Sequence, residues 1–201
     1  MVNIAVLISG SGTNLQAIID AVSNNEINGK ISLVVSNRKN AYGLVRASNA
    51  NIKNMVIRNE EKLITVLKDH NIDLIVLAGY LAIISDKLID LYENKIINIH
   101  PSLIPSFCGE GFYGIHVHEH VFERGVKVSG ATVHFVSSVV DGGPIILQEA
   151  IDISECSSPE EIQLKILNNV EHKLLVKAVK LACDNKLIIE NGKVYIKWNV
   201  H

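Results

Sequence analysis

The run Leu74-Ile75-Val76-Leu77-Ala78 is apolar at every position, and it constrains the fold more tightly than any other feature of the chain. A strand turns successive side chains to opposite faces, so an unbroken apolar strand needs cover on both sides. Parallel sheets sandwiched between helices supply that cover. Similar short runs rich in β-branched residues lie at 3–8, 31–36, 54–57 and 96–99, and the stretches 15–22, 43–49 and 62–70 between them carry apolar residues at helical spacing. The alternation predicts an α/β fold: one doubly wound, mostly parallel sheet with helices on both faces, filling the first two-thirds of the chain.

After Pro101 the rhythm changes. A long glycine-containing segment leads to a short helix near 117–124, then to runs at 128–136 and 145–151 joined through Asp141-Gly142-Gly143-Pro144. These two runs are expected as antiparallel additions beside the main sheet. Ser157-Ser158-Pro159-Glu160-Glu161 reads as a helix start, with Ser158 as N-cap, Pro159 at the first helical position and Glu161 three residues past the cap. One long helix to about Asp184 should follow, and 187–198 reads as a hairpin turned at Asn191-Gly192. With no repeat or linker, the 201 residues are expected to form a single domain, 1–201.

Charge and cysteine usage narrow the partners. A net charge of -2 lacks the basic excess needed to neutralise many phosphates of a polymer, so nucleic acid is not expected as a partner, whereas a small anion is. Three widely spaced cysteines, Cys108, Cys156 and Cys183, form no CxxC pair and fit reduced thiols in the cytoplasm. The apolar start of the chain is short, has no basic flank and runs straight into Ser9-Gly10-Ser11-Gly12, which marks a strand rather than a secretory signal. No apolar run approaches the roughly 20 residues of a membrane-spanning helix, so no membrane association is expected.

Two places carry the pattern of chemistry. Gly10-Ser11-Gly12-Thr13-Asn14 joins the first strand to the first helix, where free N–H groups and the helix dipole can hold a phosphate. Leu15 stands where a dinucleotide fingerprint has its third glycine, and Ser36-Asn37 ends the second strand without a ribose-binding acid, which disfavours a nicotinamide cofactor. A plain tight turn is the competing reading. Further on, Asn98 and His100 alternate with Ile97 and Ile99, so both polar side chains should leave one face near the end of a strand, where open α/β sheets bind ligands. A histidine there can act as general acid or base and an asparagine can donate to a developing oxyanion, which suits acyl transfer. Asp141, in its glycine-rich turn, could be aimed at His100 and would favour the imidazolium. The alternative is local capping, with Asp141 bonding its own turn.

The stretches Asn98-Ile-His-Pro-Ser-Leu-Ile-Pro105 and Val140-Asp-Gly-Gly-Pro-Ile-Ile-Leu-Gln148 together resemble the paired signature of the phosphoribosylglycinamide formyltransferases. Leu7-Ile-Ser-Gly-Ser-Gly-Thr-Asn-Leu-Gln-Ala-Ile18, Leu77-Ala-Gly-Tyr80, Gly130-Ala-Thr-Val-His-Phe135 and Glu171-His172 extend the likeness in order along the chain. The resemblance implies a Rossmann-like formyltransferase fold. It also implies direct formyl transfer from 10-formyltetrahydrofolate to the glycine amine of glycinamide ribonucleotide, with no covalent enzyme intermediate and no metal. By motif match His100 is the general acid, Asn98 holds the formyl group and Asp141 supports the charged histidine. Gly12, Thr13 and Asn14 match the phosphate loop, while Asn168 and Glu171 match contacts to the rest of the ribonucleotide. The formyl folate would be held by Leu81, Ala82, Ile83, Ile84 and Asn98 and by the loop Ser137, Ser138, Val139, Val140 and Asp141, largely through backbone groups.

The chain departs from the family pattern twice. Leu81-Ala82 stands where a Met-Arg pair is expected, removing a cation near the folate, and the 106–114 loop is a few residues longer. Other features admit competing readings. His116, His118 and His120 invite a metal, but a helix would put only His116 and His120 on one face. Ser102 with His100 and Asp141 could be cast as a hydrolytic triad, yet no GxSxG elbow is present. His134 could face the site or be structural, and Cys108 would react only with a lowered pKa. Among related enzymes, a formyltetrahydrofolate deformylase is expected to carry an extra domain before the first strand, and a methionyl-tRNA formyltransferase a tRNA-binding extension. A regulatory module binding a small molecule without chemistry is the non-enzymatic rival. Monomer and homodimer are both compatible with the sequence.

Overall fold

The computed structural model describes residues 1–197. Strands and helices alternate as β1 (Val2–Ile8), α1 (Thr13–Ser23), β2 (Gly29–Ser36), α2 (Tyr42–Asn49), β3 (Asn54–Val56), α3 (Glu60–Asp69), β4 (Leu74–Leu77), α4 (Asp86–Leu91) and β5 (Ile96–His100). Then come α5 (Ile115–Arg124), β6 (Val128–Phe135), β7 (Ile145–Asp152), α6 (Pro159–Ile166), a π-helical turn (Leu167–Glu171), α7 (His172–Cys183), β8 (Leu187–Glu190) and β9 (Lys193–Ile196).

Seven strands form one sheet in the order β3-β2-β1-β4-β5-β6-β7, parallel through β5, with β6 and β7 added antiparallel. β8 and β9 pair antiparallel as a separate hairpin, turned at Asn191 (φ 52°) and Gly192 (φ 73°) as two left-handed residues require. Trp198, the last residue of the expected hairpin, lies outside the described residues.

Burial follows the strand period. In β1, Ile4, Val6 and Ile8 join one apolar cluster with α1, α6 and α7, while Ala5 and Leu7 join a second with α3 and α4. Each face is thus closed by helices, and each fully buried Leu or Ile contributes about 1.5–3 kcal/mol. β4 splits likewise, Val76 to one cluster and Ile75 with Leu77 to the other. The all-apolar 74–78 run is explained by this double cover.

The order reverses at β1, whose neighbours β2 and β4 carry the chain to opposite sides, and ligands of such sheets bind outside the strand ends at that switch. Registers Leu7↔Leu77, Leu77↔Asn98 and Asn98↔His134 align four strands in one row near this edge.

Several expectations need correction. The long final helix is three segments: α6, a π turn at Leu167–Glu171, and α7 ending at Cys183. Ser158 caps α6 by accepting from Glu161 N, but the Glu161 carboxylate reaches back to Ser157 N (2.7 Å) rather than to the cap residue's own amide. α4 has no counterpart among the expected helices, since its six residues span under two turns, too short for a periodic signal. β2 starts two residues early at Gly29 and β5 runs on to His100.

Candidate active site

β5 sends Ile97 and Ile99 into the first apolar cluster and turns Asn98 and His100 to its other face, as period-2 alternation demands. Pairing with β6 sets His134 opposite Asn98 and Thr132 opposite His100. The turn between β6 and β7 then returns Asp141 to this face. Asp141 itself is left-handed (φ 54°), and two residues on, a Cβ at Gly143 would lie 1.8 Å from the Phe135 carbonyl, so the turn closes only around glycine.

Asp141 bridges two imidazoles. Its Oδ2 lies 3.4 Å from His100 Nδ1 and its Oδ1 lies 3.6 Å from His134 Nε2, while Gly109 N donates to Oδ2 at 2.9 Å. His134 Nδ1 donates to the Phe135 carbonyl at 2.8 Å, which leaves Nε2 of the neutral ring to accept from Asn98 Nδ2 at 3.1 Å. An amide nitrogen has two hydrogens, so one Asn98 N–H remains for another acceptor. His100 Nε2 donates to the Phe107 carbonyl at 2.8 Å.

Burial alone would raise the Asp141 carboxyl, but the neighbouring His134 and His100 rings and the Gly109 N–H together hold it below the ordinary carboxylate range. For His100 burial wins: it lowers the pKa against the Asp141 charge and the Phe107 carbonyl, which both raise it. The expected lift from Asp141 is present but outweighed. Acceptors nevertheless face both ring nitrogens, the Phe107 carbonyl at 2.8 Å and the Asp141 carboxylate at 3.4 Å, so the imidazolium, once formed, has a partner on each side. That balance suits a group that holds a proton transiently.

The second site lies where β1 enters α1. Gly12 caps α1 in the left-handed region (φ 71°), no side chain caps the helix, and a Cβ there would meet Gly43 Cα at 2.6 Å. Among the described residues no side chain caps the N–H groups of the first turn, which leaves them in the arrangement that holds anions. Asn14 Nδ2 donates to Glu171 Oε2 at 2.8 Å, and its buried Oδ1 has no partner among the described residues. Burial pushes Glu171 up to about 7, against the lowering effect of the Asn14 bond. Glu171 belongs to the π turn, and such turns widen a helix locally and redirect side chains. Asn168, in the same turn, is exposed and makes no side-chain hydrogen bond to the loop among the described residues.

The site includes residues that sequence reading missed. Arg46 of α2 donates through Nε to Ser11 O at 2.9 Å and through Nη1 to Gln16 Oε1 at 3.3 Å, with its guanidinium 5.1 Å from the Tyr42 ring centre. It is the cation beside the loop, and no motif marks it. His134 also joins the cluster, and the Thr132/His134 alternation mirroring Asn98/His100 is its signal in the sequence.

The tempting alternatives dissolve. Ser102 Oγ donates to Ser106 O rather than to an imidazole. His116 donates to Glu119, His120 donates to the His116 carbonyl, and His118 turns into the core, its pKa lowered to about 4 by burial and by His100. Among the described residues no three His, Cys, Asp or Glu side chains gather to hold a metal ion. Burial and the Asp141 charge raise the Cys108 thiol, so it is not an activated thiolate. A groove of about 500 Å³ between Gly142–Ile145 and Gly192–Val194 holds none of the clustered imidazoles.

Against known proteins, the model of the formyl transferase family matches residues 2–179. The chain belongs to the formyl transferase family. Among its members, phosphoribosylglycinamide formyltransferase of Haemophilus influenzae is 38% identical over 98% of this chain and 94% of its own length. The chloroplastic phosphoribosylglycinamide formyltransferase of Arabidopsis thaliana is 36% identical over 92% of this chain, which spans 66% of that relative. Glycinamide ribonucleotide transformylase 1 from Symbiobacterium toebii superposes with a TM-score of 0.91 at 39% identity, covering 98% of this chain and 94% of the other. A formyltetrahydrofolate deformylase from Pseudomonas syringae pv. tomato shares the fold at TM-score 0.87 and 24% identity, covering 97% of this chain and 65% of its own.

Proposed function

We propose that this formyl transferase moves the formyl group of 10-formyltetrahydrofolate to the glycine amine of glycinamide ribonucleotide, giving formylglycinamide ribonucleotide and tetrahydrofolate in purine (IMP) synthesis. The observation that carries this reading is the Asn98, His134, Asp141, His100 cluster at the end of β5, on the same sheet edge as the open anion loop.

In this reading a bond forms from the acceptor amine to the formyl carbon, the bond from that carbon to the folate nitrogen breaks, and the proton lost by the amine ends on the leaving nitrogen. The free N–H of Asn98 donates to the formyl oxygen as negative charge develops. His100 Nε2, which donates here to the Phe107 carbonyl, exchanges that acceptor for the formyl oxygen. Asp141 balances the positive charge of protonated His100, and His134 orients Asn98.

The ribonucleotide phosphate lies on the N–H groups of Gly12, Thr13 and Asn14 with Arg46 beside it, and Glu171 and Asn168 face the rest of the molecule. The formyl folate lies between Leu81, Ala82, Ile83 and Ile84 on one side and Ser137, Ser138, Val139, Val140 and Asp141 on the other. Supporting this, Leu81 (43%), Ile83 (83%), Val139 (66%) and Val140 (50%) are large apolar side chains left exposed on those two loops. The reading is of a one-domain cytoplasmic enzyme, monomeric or homodimeric, acting on small molecules without metal or nucleic acid. Among the described residues no helix is long and apolar enough to cross a membrane.

The test is a formyl-transfer assay with 10-formyltetrahydrofolate, comparing glycinamide ribonucleotide with water as acceptor. Tetrahydrofolate released only with the ribonucleotide supports the reading; equal release without it makes the protein a deformylase, and no turnover leaves a binding module. His100→Ala should lower kcat by about 100-fold or more while ribonucleotide binding persists. Retained turnover in that variant removes His100 from the chemistry.

A further inference from the structure

Ser9 directly follows β1, one residue before the anion loop, and is 3% exposed. Its hydroxyl accepts from Leu81 N at 2.8 Å and donates to Asn37 Oδ1 at 2.7 Å, and its amide donates to the Gly79 carbonyl at 3.0 Å. Leu81 is the first residue of the exposed apolar segment that follows β4. The far end of that segment is held by Glu60, whose carboxylate accepts from Ser85 N at 3.1 Å and from the Ser85 hydroxyl. Residues 81–84 are therefore strung between two clips, one on α3 and one belonging to the anion loop's own strand.

A serine hydroxyl has one hydrogen and two lone pairs. With the hydrogen spent on Asn37, a lone pair faces the Leu81 N–H, so Asn37 sets the orientation in which Ser9 can hold the segment. A plain strand-end serine would need neither partner; here β1, the end of β2 and the loop after β4 meet in one chain of hydrogen bonds, Leu81 N to Ser9 to Asn37. The chain joins the wall of one candidate subsite to the root of the other.

We propose that Ser9 is a positioning residue for the formyl-donor subsite, fixing the Leu81 backbone from the base of the anion loop, with Asn37 orienting its hydroxyl. The inference rests on the formyl-transfer reading, in which the 81–84 backbone binds the folate. Because Ser9 adjoins the anion loop in sequence, a merely structural role would disturb both substrates alike. Positioning of the 81–84 segment disturbs the folate alone.

The experiment measures kcat and both KM values for the wild type, Ser9→Ala, Ser9→Thr and Asn37→Ala, with thermal melts of each. Ser9→Ala strands the Leu81 N–H and should raise KM for 10-formyltetrahydrofolate about tenfold, with ribonucleotide KM changed less than about twofold. Ser9→Thr keeps the hydroxyl and should recover most of the loss. Asn37→Ala should shift folate KM in the same direction, and the double variant should fall short of the product of the two single effects. Equal changes in both KM values, or no change in a folded Ser9→Ala protein, overturn the proposal. Should Ser9→Ala fail to fold, Asn37→Ala decides: an unchanged folate KM overturns it and a raised one supports it. An inactive wild type would refute the formyl-transfer reading itself, and with it the inference.

Discussion

At the scale of single residues, the buried carboxyl of Glu171 makes an opposing demand on stability and on function. Its pKa is raised from 4.5 to about 7 by burial. The folded protein therefore binds this proton more tightly than the unfolded chain does. The resulting stability is fully present below about pH 4.5 and is lost as pH rises through about 7. Glu171→Gln removes the charge while keeping an acceptor for Asn14. Chemical denaturation should find the variant more stable than wild type at pH 8, on the order of 1–3 kcal/mol, and nearly equal at about pH 4. The same substitution should raise ribonucleotide KM, because the carboxylate is proposed to face that substrate. Equal stability gaps at both pH values would show that Glu171 does not titrate as burial implies.

At the scale of elements, the chemistry depends on one turn. β6 and β7 are joined by a segment whose Gly143 cannot gain a side chain without meeting the Phe135 carbonyl. Asp141 is placed by that closure, so Gly143→Ala should shift the carboxylate away from His100 and His134. The expected loss in kcat is about 10- to 100-fold, as for misplacement of a reacting group by about 1 Å, with a lowered Tm. Steady-state kinetics beside a melt would check both, and unimpaired kcat would mean that the turn relaxes without moving Asp141. The sequence made β5 and its shared-face pair legible because alternation is a local property of a strand. It did not reveal the π turn, whose single extra residue shifts the apolar spacing too little to stand out, nor the Arg46 contact, which depends on how α2 lies against the first loop.

At the scale of the whole molecule, one sheet separates two apolar clusters, and alternate residues of β1 and β4 serve both. Loss of either cluster should therefore unfold the other. Leu67→Ala on α3 and Leu175→Ala on α7 each empty a fully buried site, and each should cost about 2–5 kcal/mol. Urea unfolding followed by far-UV circular dichroism and by amide exchange should give one coincident transition in both variants. Two separate transitions would contradict the one-domain proposal.

Short-range periodicity accounts for the strand and helix alternation, the double cover of 74–78, the shared face of Asn98 and His100, and the glycine loop opening α1. Each needs only the geometry of a strand or of a helix end, which a few neighbouring residues fix. The remaining features involve partners distant in the chain, which meet only on folding. Asn14 meets Glu171 across 157 positions, His134 falls beside Asn98 through the β5–β6 register, and the Ser9 hydroxyl finds Leu81 72 residues away. The protonation balance of His100, Asp141 and Glu171 belongs to the same class. Desolvation depends on everything packed around a group, and no local pattern encodes it.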